Sequence, residues 1–247
     1  MLRFLFIALT LFSSQSFAQT YDGWYKYTAE EAKRMIENGF DVNSFDKKGK
    51  PAIFYAVLNE KDPGVLSALL QAGADPNITD AQGTFPLFLA ATKNQKPNNI
   101  IALLRAGADV NKRIPKGVTS LMIAANLNKN PRIIATLIQG RADVNATDEF
   151  KTTALMHALV KKAPLSVVNV LIRGRSNVNQ KGMDDYTPLM VAVIYHGDPE
   201  VVDSLLKAGA DPKARNKEGK SALDYARTKP AIMNSPVYEK LKAAGGF

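Results

Sequence analysis

The 247-residue chain has no cysteine, two histidines and one tryptophan. Without cysteine there is no disulfide framework, no thiolate-bound metal and no cysteine nucleophile. The histidines, His157 and His196, stand in different parts of the chain and offer no spaced pair of metal ligands. The patterns H-E-x-x-H, G-x-S-x-G, the phosphate-binding loop and G-x-G-x-x-G are missing as well. Acidic pairs occur at Glu30-Glu31, Asp148-Glu149 and Asp184-Asp185, each adjacent in sequence and placed for a helix cap or a turn. Nothing gathers a general acid and a base, so no enzyme activity, cofactor or metal is expected. Nor does any segment reach the roughly 18 apolar residues that a membrane span requires.

The short apolar run from Phe4 to Phe12 has the layout of an export leader instead. Arg3 precedes it, small polar residues follow, and Ser16-Phe17-Ala18 supplies a small-x-small cleavage site. Residues 1–18 are therefore expected to be a secretory signal peptide, with the mature chain beginning at Gln19. The expected location is the periplasm, or alternatively the medium as a secreted protein. The formal net charge is +9. In a cytosolic protein that balance would suggest nucleic acid. For an exported protein the expected counterparts are acidic proteins, anionic lipid headgroups or wall polymers, with no nucleic acid and no membrane insertion.

What the chain does contain is a repeat. Residues 103–111 read LLRAGADVN, and relatives of this phrase start at 35 (MIENGFDVN), 69 (LLQAGADPN), 137 (LIQGRADVN), 171 (LIRGRSNVN) and 205 (LLKAGADPK), each 34 residues after the last. A second phrase keeps the same period. AIFYA, PLFLA, SLMIA, ALMHA, PLMVA and ALDYA end at Ala56, Ala90, Ala124, Ala158, Ala192 and Ala226. Two phrases locked to one period place a repeated supersecondary unit along the chain.

Within a unit, the Asn of the first phrase leads into a turn such as ITDAQG, where Asp80 and Gly83 suit a tight reversal. A short helix follows, with Leu87, Ala90 and Ala91 on one face by i, i+3, i+4 spacing. The recurring alanine suggests that neighbouring helices approach too closely for a larger side chain. A proline-containing break comes next. In it Asp62, Asn130 and Asp198 precede Pro63, Pro131 and Pro199 as N-cap plus first residue of a second helix. That helix carries Ile133, Ile134, Leu137 and Ile138 on one face and ends near Gly73, Gly107 or Gly209, the residue suited to a left-handed C-terminal cap.

A turn, a helix, a break and a second helix, with Thr187-Pro188-Leu189-Met190-Val191-Ala192 and the closing G-A-D-x-N, make a unit that resembles the ankyrin-repeat family over about residues 28–247. The departures are a 34-residue period and the near absence of the signature histidine. The resemblance implies an all-α repeat solenoid, a hairpin-like turn plus two antiparallel helices per unit, closed by caps. Residues 19–40 are expected to form the N-terminal cap helix, opened by a capping box at Thr28-Ala29-Glu30-Glu31. Trp24, Tyr25 and Tyr27 are placed to cover its open end. Residues 41–210 hold five full units, and residues 211–247 a C-terminal capping repeat whose last helix opens at Ser235-Pro236.

The resemblance also implies that the chain binds another protein through its turn tips and the exposed sides of its first helices, with no small-molecule substrate. Carried over by register, this points to Lys48, Lys50 and Asn59 in the first unit, Lys116 and Asn126 in the third, and Phe150, Val160 and Lys161 in the fourth. Met183, Tyr186 and Tyr195 follow in the fifth. Aromatic side chains with basic neighbours are enriched in interface hot spots. The fifth tip is expected to be reshaped, because Gly182 replaces an Asp and Asp185 replaces a Gly. Arg141 and Arg175 occupy the glycine slot of two units, each with a glycine one place earlier. Either arginine adopts the left-handed conformation, or each helix ends one residue sooner. The joint move of both glycines favours early termination, and both arginines join the candidate contact residues. Exported bacterial proteins similar in kind to this one include a self-protection type that guards its own wall. The resemblance thus extends to an inhibitor or immunity role against a periplasmic or secreted enzyme, such as a peptidoglycan hydrolase. An envelope scaffold, or a stabilising partner of a periplasmic enzyme without inhibition, is the alternative.

Overall fold

Among the residues described by the computed structural model, 26–59, 61–93 and 96–245, regular structure is helical. Isolated bridges at Phe45–Pro51 and Arg113–Thr119 mark two turn stems. The leader expected over 1–18 and the aromatics Trp24 and Tyr25 lie outside the described residues. The chain divides into two compact units between Asp109 and Val110. The first holds α1 (Ala29–Glu37), α2 (Ala52–Val57), α3 (Gly64–Gln71), α4 (Pro86–Lys93) and α5 (Asn98–Arg105). The second holds α6 (Ser120–Leu127), α7 (Pro131–Gln139), α8 (Ala154–Val160), α9 (Leu165–Arg173), α10 (Pro188–Val191), α11 (Pro199–Lys207), α12 (Ala222–Ala226), α13 (Pro230–Met233) and α14 (Pro236–Gly245).

Side chains just before many of the helices explain where they start. Thr119, Thr153, Thr187 and Ser221 accept the backbone N–H of Met122, Met156, Met190 and Asp224, so one orphan donor of each first helix is satisfied. Asn130 and Asp198 do the same for α7 and α11, each followed by proline as the first helical residue. Asp62 has a double task. One carboxylate oxygen accepts from Gly64 N–H at 2.8 Å, and the other from Ala29 N–H at 2.7 Å, pinning the start of α1 to the start of α3. The capping box of Thr28 and Glu31 opens α1 as its sequence indicates.

Like helices stack on like. In the first unit α2 packs on α4, while α1 and α5 flank α3, which places α1 in the row of second helices. In the second unit α6 packs on α8 and α8 on α10, while α9 lies between α7 and α11 and α14 extends that row. Ala56, Ala90, Ala124, Ala158, Ala192 and Ala226 have no exposed surface at all, so the repeated alanine is a contact residue. A larger side chain there would overpack the junction by about 1–3 kcal/mol. The fifth repeat departs from this regularity. Its first helix passes into a π-turn, Ala192–His196, closed by Gly197 at φ 75°.

The arginines settle differently from the favoured expectation. α7 and α9 end at Gln139 and Arg173, at the same register as α5, which ends at Arg105. Gly140 and Gly174 take right-handed angles, and it is Arg141 and Arg175 that stand at φ 69°, where Gly107 stands at φ 90°. The cap bonds are kept in full: Arg141 N–H to Ile138 O, Ala142 N–H to Leu137 O, and the equivalent pair at Arg175 and Ser176. No helix terminates early.

The closing Asn explains why the phrase must recur. Asn43 donates to Gly73 O at 3.1 Å and accepts from Asp75 N–H at 2.8 Å. Asn77 repeats this with Gly107 and Asp109, Asn111 with Arg141 and Asp143, Asn145 with Arg175 and Asn177, and Asn179 with Gly209 and Asp211. Each asparagine clasps the helix end of the following repeat. Lys213 takes this slot in the copy at 205–213.

Candidate functional site

The tips are built on one acceptor. Asp46, Asp80, Asp148 and Asn216 each use a side-chain oxygen to hold two backbone N–H groups, those of Lys48 and Lys50, Gln82 and Thr84, Phe150 and Thr152, and Glu218 and Lys220. A fourth-position residue at positive φ closes the turn: Gly49, Gly83, Lys151 and Gly219. The fourth tip is braced further. His157 Nε2 lies 3.0 Å from the free oxygen of Asp148, and its Nδ1 lies 3.3 Å from Asn126 Nδ2. One tautomer serves both contacts, with Nε2–H donating to the carboxylate and Nδ1 accepting from the amide. His157 and Asn126 are thereby structural. His196 is structural too, bonding Ala163 O at 2.9 Å.

Two tips lack the acceptor. Ile114 and Gly182 stand in its place, and there the following peptide turns over, so that Lys116 (φ 70°) and Asp184 (φ 52°) enter the left-handed region. The fifth tip is thus reshaped as its sequence indicates, and the third is reshaped in the same way. The signal in the third was Pro115 after Ile114, since proline favours the second position of a turn whose third residue has positive φ. In each, the residue carried to positive φ points its carbonyl at the next tip. Lys116 O accepts from Glu149 N–H and Asp184 O from Lys217 N–H, both at 3.0 Å. Arg113 adds bonds to Gly117 O and Thr147 O, and Lys217 Nζ pairs with Asp184 at 3.2 Å. Third and fourth tips are joined, and so are fifth and sixth.

The candidate contact residues fare unequally. Lys48 and Lys50 belong to the first unit, and Lys50 is engaged there: its ammonium reaches Asp80 and Gln82 and lies 5.9 Å from the Phe54 ring centre. Burial opposes the charged form of Asp80, but the Lys50 bond and the N–H groups of Thr84 and Gln82 outweigh it and hold the carboxyl below its ordinary value. Asn59, expected at the surface, is buried, and bonds Tyr27 O and the N–H groups of Lys61 and Asp62. In the second unit Lys116, Arg141, Lys161 and Arg175 are exposed.

Of the aromatics, Phe150 and Tyr195 are 49% and 52% exposed, whereas Tyr186 is not free. It is half-buried, its hydroxyl lies 3.0 Å from that of Tyr225, and Tyr225 in turn accepts from Asn216. The hydrogen bond with Tyr225, aided by burial, pushes the Tyr186 phenol up to about 12. Tyr186 therefore ties the fifth repeat to the sixth. In its stead the structure adds Leu127 at the end of α6, which sequence reasoning missed. With Phe150, Val160, Met183 and Tyr195 it completes a set of five exposed large apolar side chains on the third to fifth repeats. By register they occupy two tips and three first-helix ends. No group of three or more metal-ligating side chains occurs among the described residues.

Comparison with known proteins agrees with this geometry. The solved ankyrin repeat domain of Bcl-3, a member of the IkappaB protein family, superposes with a TM-score of 0.72 at 24% identity, covering 86% of this chain and 95% of that one. No curated protein sequence matches significantly. The family described as ankyrin repeats, in blocks of three copies, matches residues 24–114 and 121–216. With that span matched and the paired helices, tips and asparagine clasps in place, the chain belongs to the ankyrin-repeat family.

Proposed function

We propose that the chain acts by binding another protein, and that the contact face is the tip and first-helix side of the second unit. The observation that carries this is the apolar set Leu127, Phe150, Val160, Met183 and Tyr195, between 42% and 56% exposed on three consecutive repeats. A single exposed leucine is ordinary, but large apolar side chains left exposed on three consecutive repeats are what a partner covers. Ankyrin repeats are protein–protein interaction modules, and the set lies where such modules grip.

The finer reading is an exported, periplasmic or secreted binder that occludes the cleft of an enzyme, of which a peptidoglycan hydrolase is the type example. The layout of residues 1–18 and the basic net charge support it. Affinity purification of the chain from periplasmic extract of its host is expected to recover one enzyme in about 1:1 ratio with its activity suppressed. The variants Leu127→Asp and Tyr195→Ala are expected to lose it. Recovery with unchanged activity excludes inhibition and leaves binding; recovery that ignores both variants refutes the face.

A further inference from the structure

The step between the fourth and fifth tips is unlike its neighbours. Where tips are joined, an N–H at the second tip position, Glu149 or Lys217, bonds the carbonyl of the left-handed third residue of the preceding tip, Lys116 or Asp184. Met183 holds that position in the fifth tip, and the preceding residue in register is Phe150. The Glu149–Phe150 peptide cannot turn over to carry Phe150 to positive φ, because Asp148 holds the Phe150 N–H at 2.9 Å and His157 in turn braces Asp148. No group among the described residues accepts the Met183 N–H. Beneath the step Gly182 packs closely on the fourth repeat, where an added Cβ would lie 3.2 Å from the Met156 sulfur.

We propose that this step seats an extended, acidic segment of the partner protein. This rests on the protein-binding reading above and names the kind of segment bound. A main-chain carbonyl of the segment accepts the Met183 N–H, filling the place that Lys116 O and Asp184 O fill at the joined steps. Phe150 and Met183, each about half exposed, flank that N–H and receive an apolar side chain. The charge of the segment follows from its surroundings. Lys116, Lys151 and Lys161 are exposed without an ion pair among the described residues, and Glu149 is the opposing unpaired acid. Asp184 and Asp185 are already matched by Lys217 and Lys181. An acidic peptide with a large apolar residue complements that balance.

The molecule contains its own control. Pro115 occupies the second tip position of the third repeat, in the same kind of turn, so Met183→Pro removes the N–H with a geometry the fold already uses. Gly182 is extended, as a residue preceding proline must be. Linear random peptides displayed on phage and selected on the full chain are expected to carry acidic residues beside Leu or Phe. Met183→Pro is expected to bind them roughly fivefold more weakly than Met183→Ala, the ratio isolating one hydrogen bond. In the wild-type chain labelled with nitrogen-15, the Met183 amide proton is expected to shift downfield on peptide addition, a readout independent of how either variant folds. Peptides that bind both variants equally and leave that amide unmoved, yet are lost in Tyr195→Ala, would overturn this inference and leave the protein-binding reading standing. A selection that yields no linear binder, while the chain still captures a folded partner, overturns it as well.

Discussion

Arg141 and Arg175 separate what a residue costs its own fold from what it offers outside. Left-handed backbone costs a side-chain-bearing residue about 1–2 kcal/mol, while replacing it by glycine frees the unfolded chain by about 0.5–1 kcal/mol. The strain term is the larger. Arg141→Gly is therefore expected to stabilise the protein by roughly 0.5–1 kcal/mol, read as a higher urea midpoint at unchanged slope; a lower midpoint would show that the guanidinium makes a stabilising contact. The sequence displayed this anomaly without deciding its form, because two causes were superposed on one pattern. The glycine beside Arg175 is there for space: a Cβ on Gly174 would sit 2.7 Å from Ile138 Cδ1 of the preceding repeat. Its arrival one place early says nothing about where the helix ends.

At the scale of the element, the helix ends are joined by side chains more than by the phrase itself. Asn145 both donates to Arg175 O at 3.1 Å and accepts from Asn177 N–H at 2.6 Å, and stability in a repeat array is carried by such nearest-neighbour interfaces. Asn145→Ala is expected to cost about 1–2 kcal/mol, two exposed hydrogen bonds at the usual net value, measured by urea unfolding. Lys213→Asn, the same side chain restored to the last copy of the phrase, is expected to change stability by less than about 0.5 kcal/mol. An equal effect at both sites would dissociate the asparagine from the clasp. The period, the buried alanines and the helix starts at Asn130 and Asp198 could all be read in advance, since each depends on residues a few positions apart. The overturned third and fifth tips could be read only in part. Their shape follows from a missing acceptor at Ile114 and Gly182, whereas their consequence, a bond to Glu149 or Lys217, depends on a tip one repeat away.

For the molecule as a whole, the candidate face was visible in register but not in detail. Phe150 and Tyr195 proved exposed, while Tyr186 turned to Tyr225 and Leu127 emerged, and neither event leaves a mark within a single unit. The long-range term that does show in composition is charge, 32 Lys and Arg against 23 Asp and Glu. Three carboxyls sit below their ordinary value of 3.8: Asp80, where bonds from Lys50 and two N–H groups outweigh burial; Asp203, bonded by Lys207 and Lys240; and Asp224, bonded by the N–H and hydroxyl of Ser221. A carboxyl depressed by folding contributes stability that is complete above its unfolded value and is lost as pH falls through its folded one. Protonation also removes negative charge from a chain already positive, so self-repulsion acts in the same direction. The urea midpoint is therefore expected to stay level between about pH 5 and 8 and to fall below about pH 4. Asp80→Asn is expected to lower the level portion while leaving the most acidic points unchanged, because there the wild-type carboxyl is neutral too. A midpoint that rises on acidification, or an Asp80→Asn curve displaced equally at every pH, would remove these carboxylates from the account of how the repeats hold together.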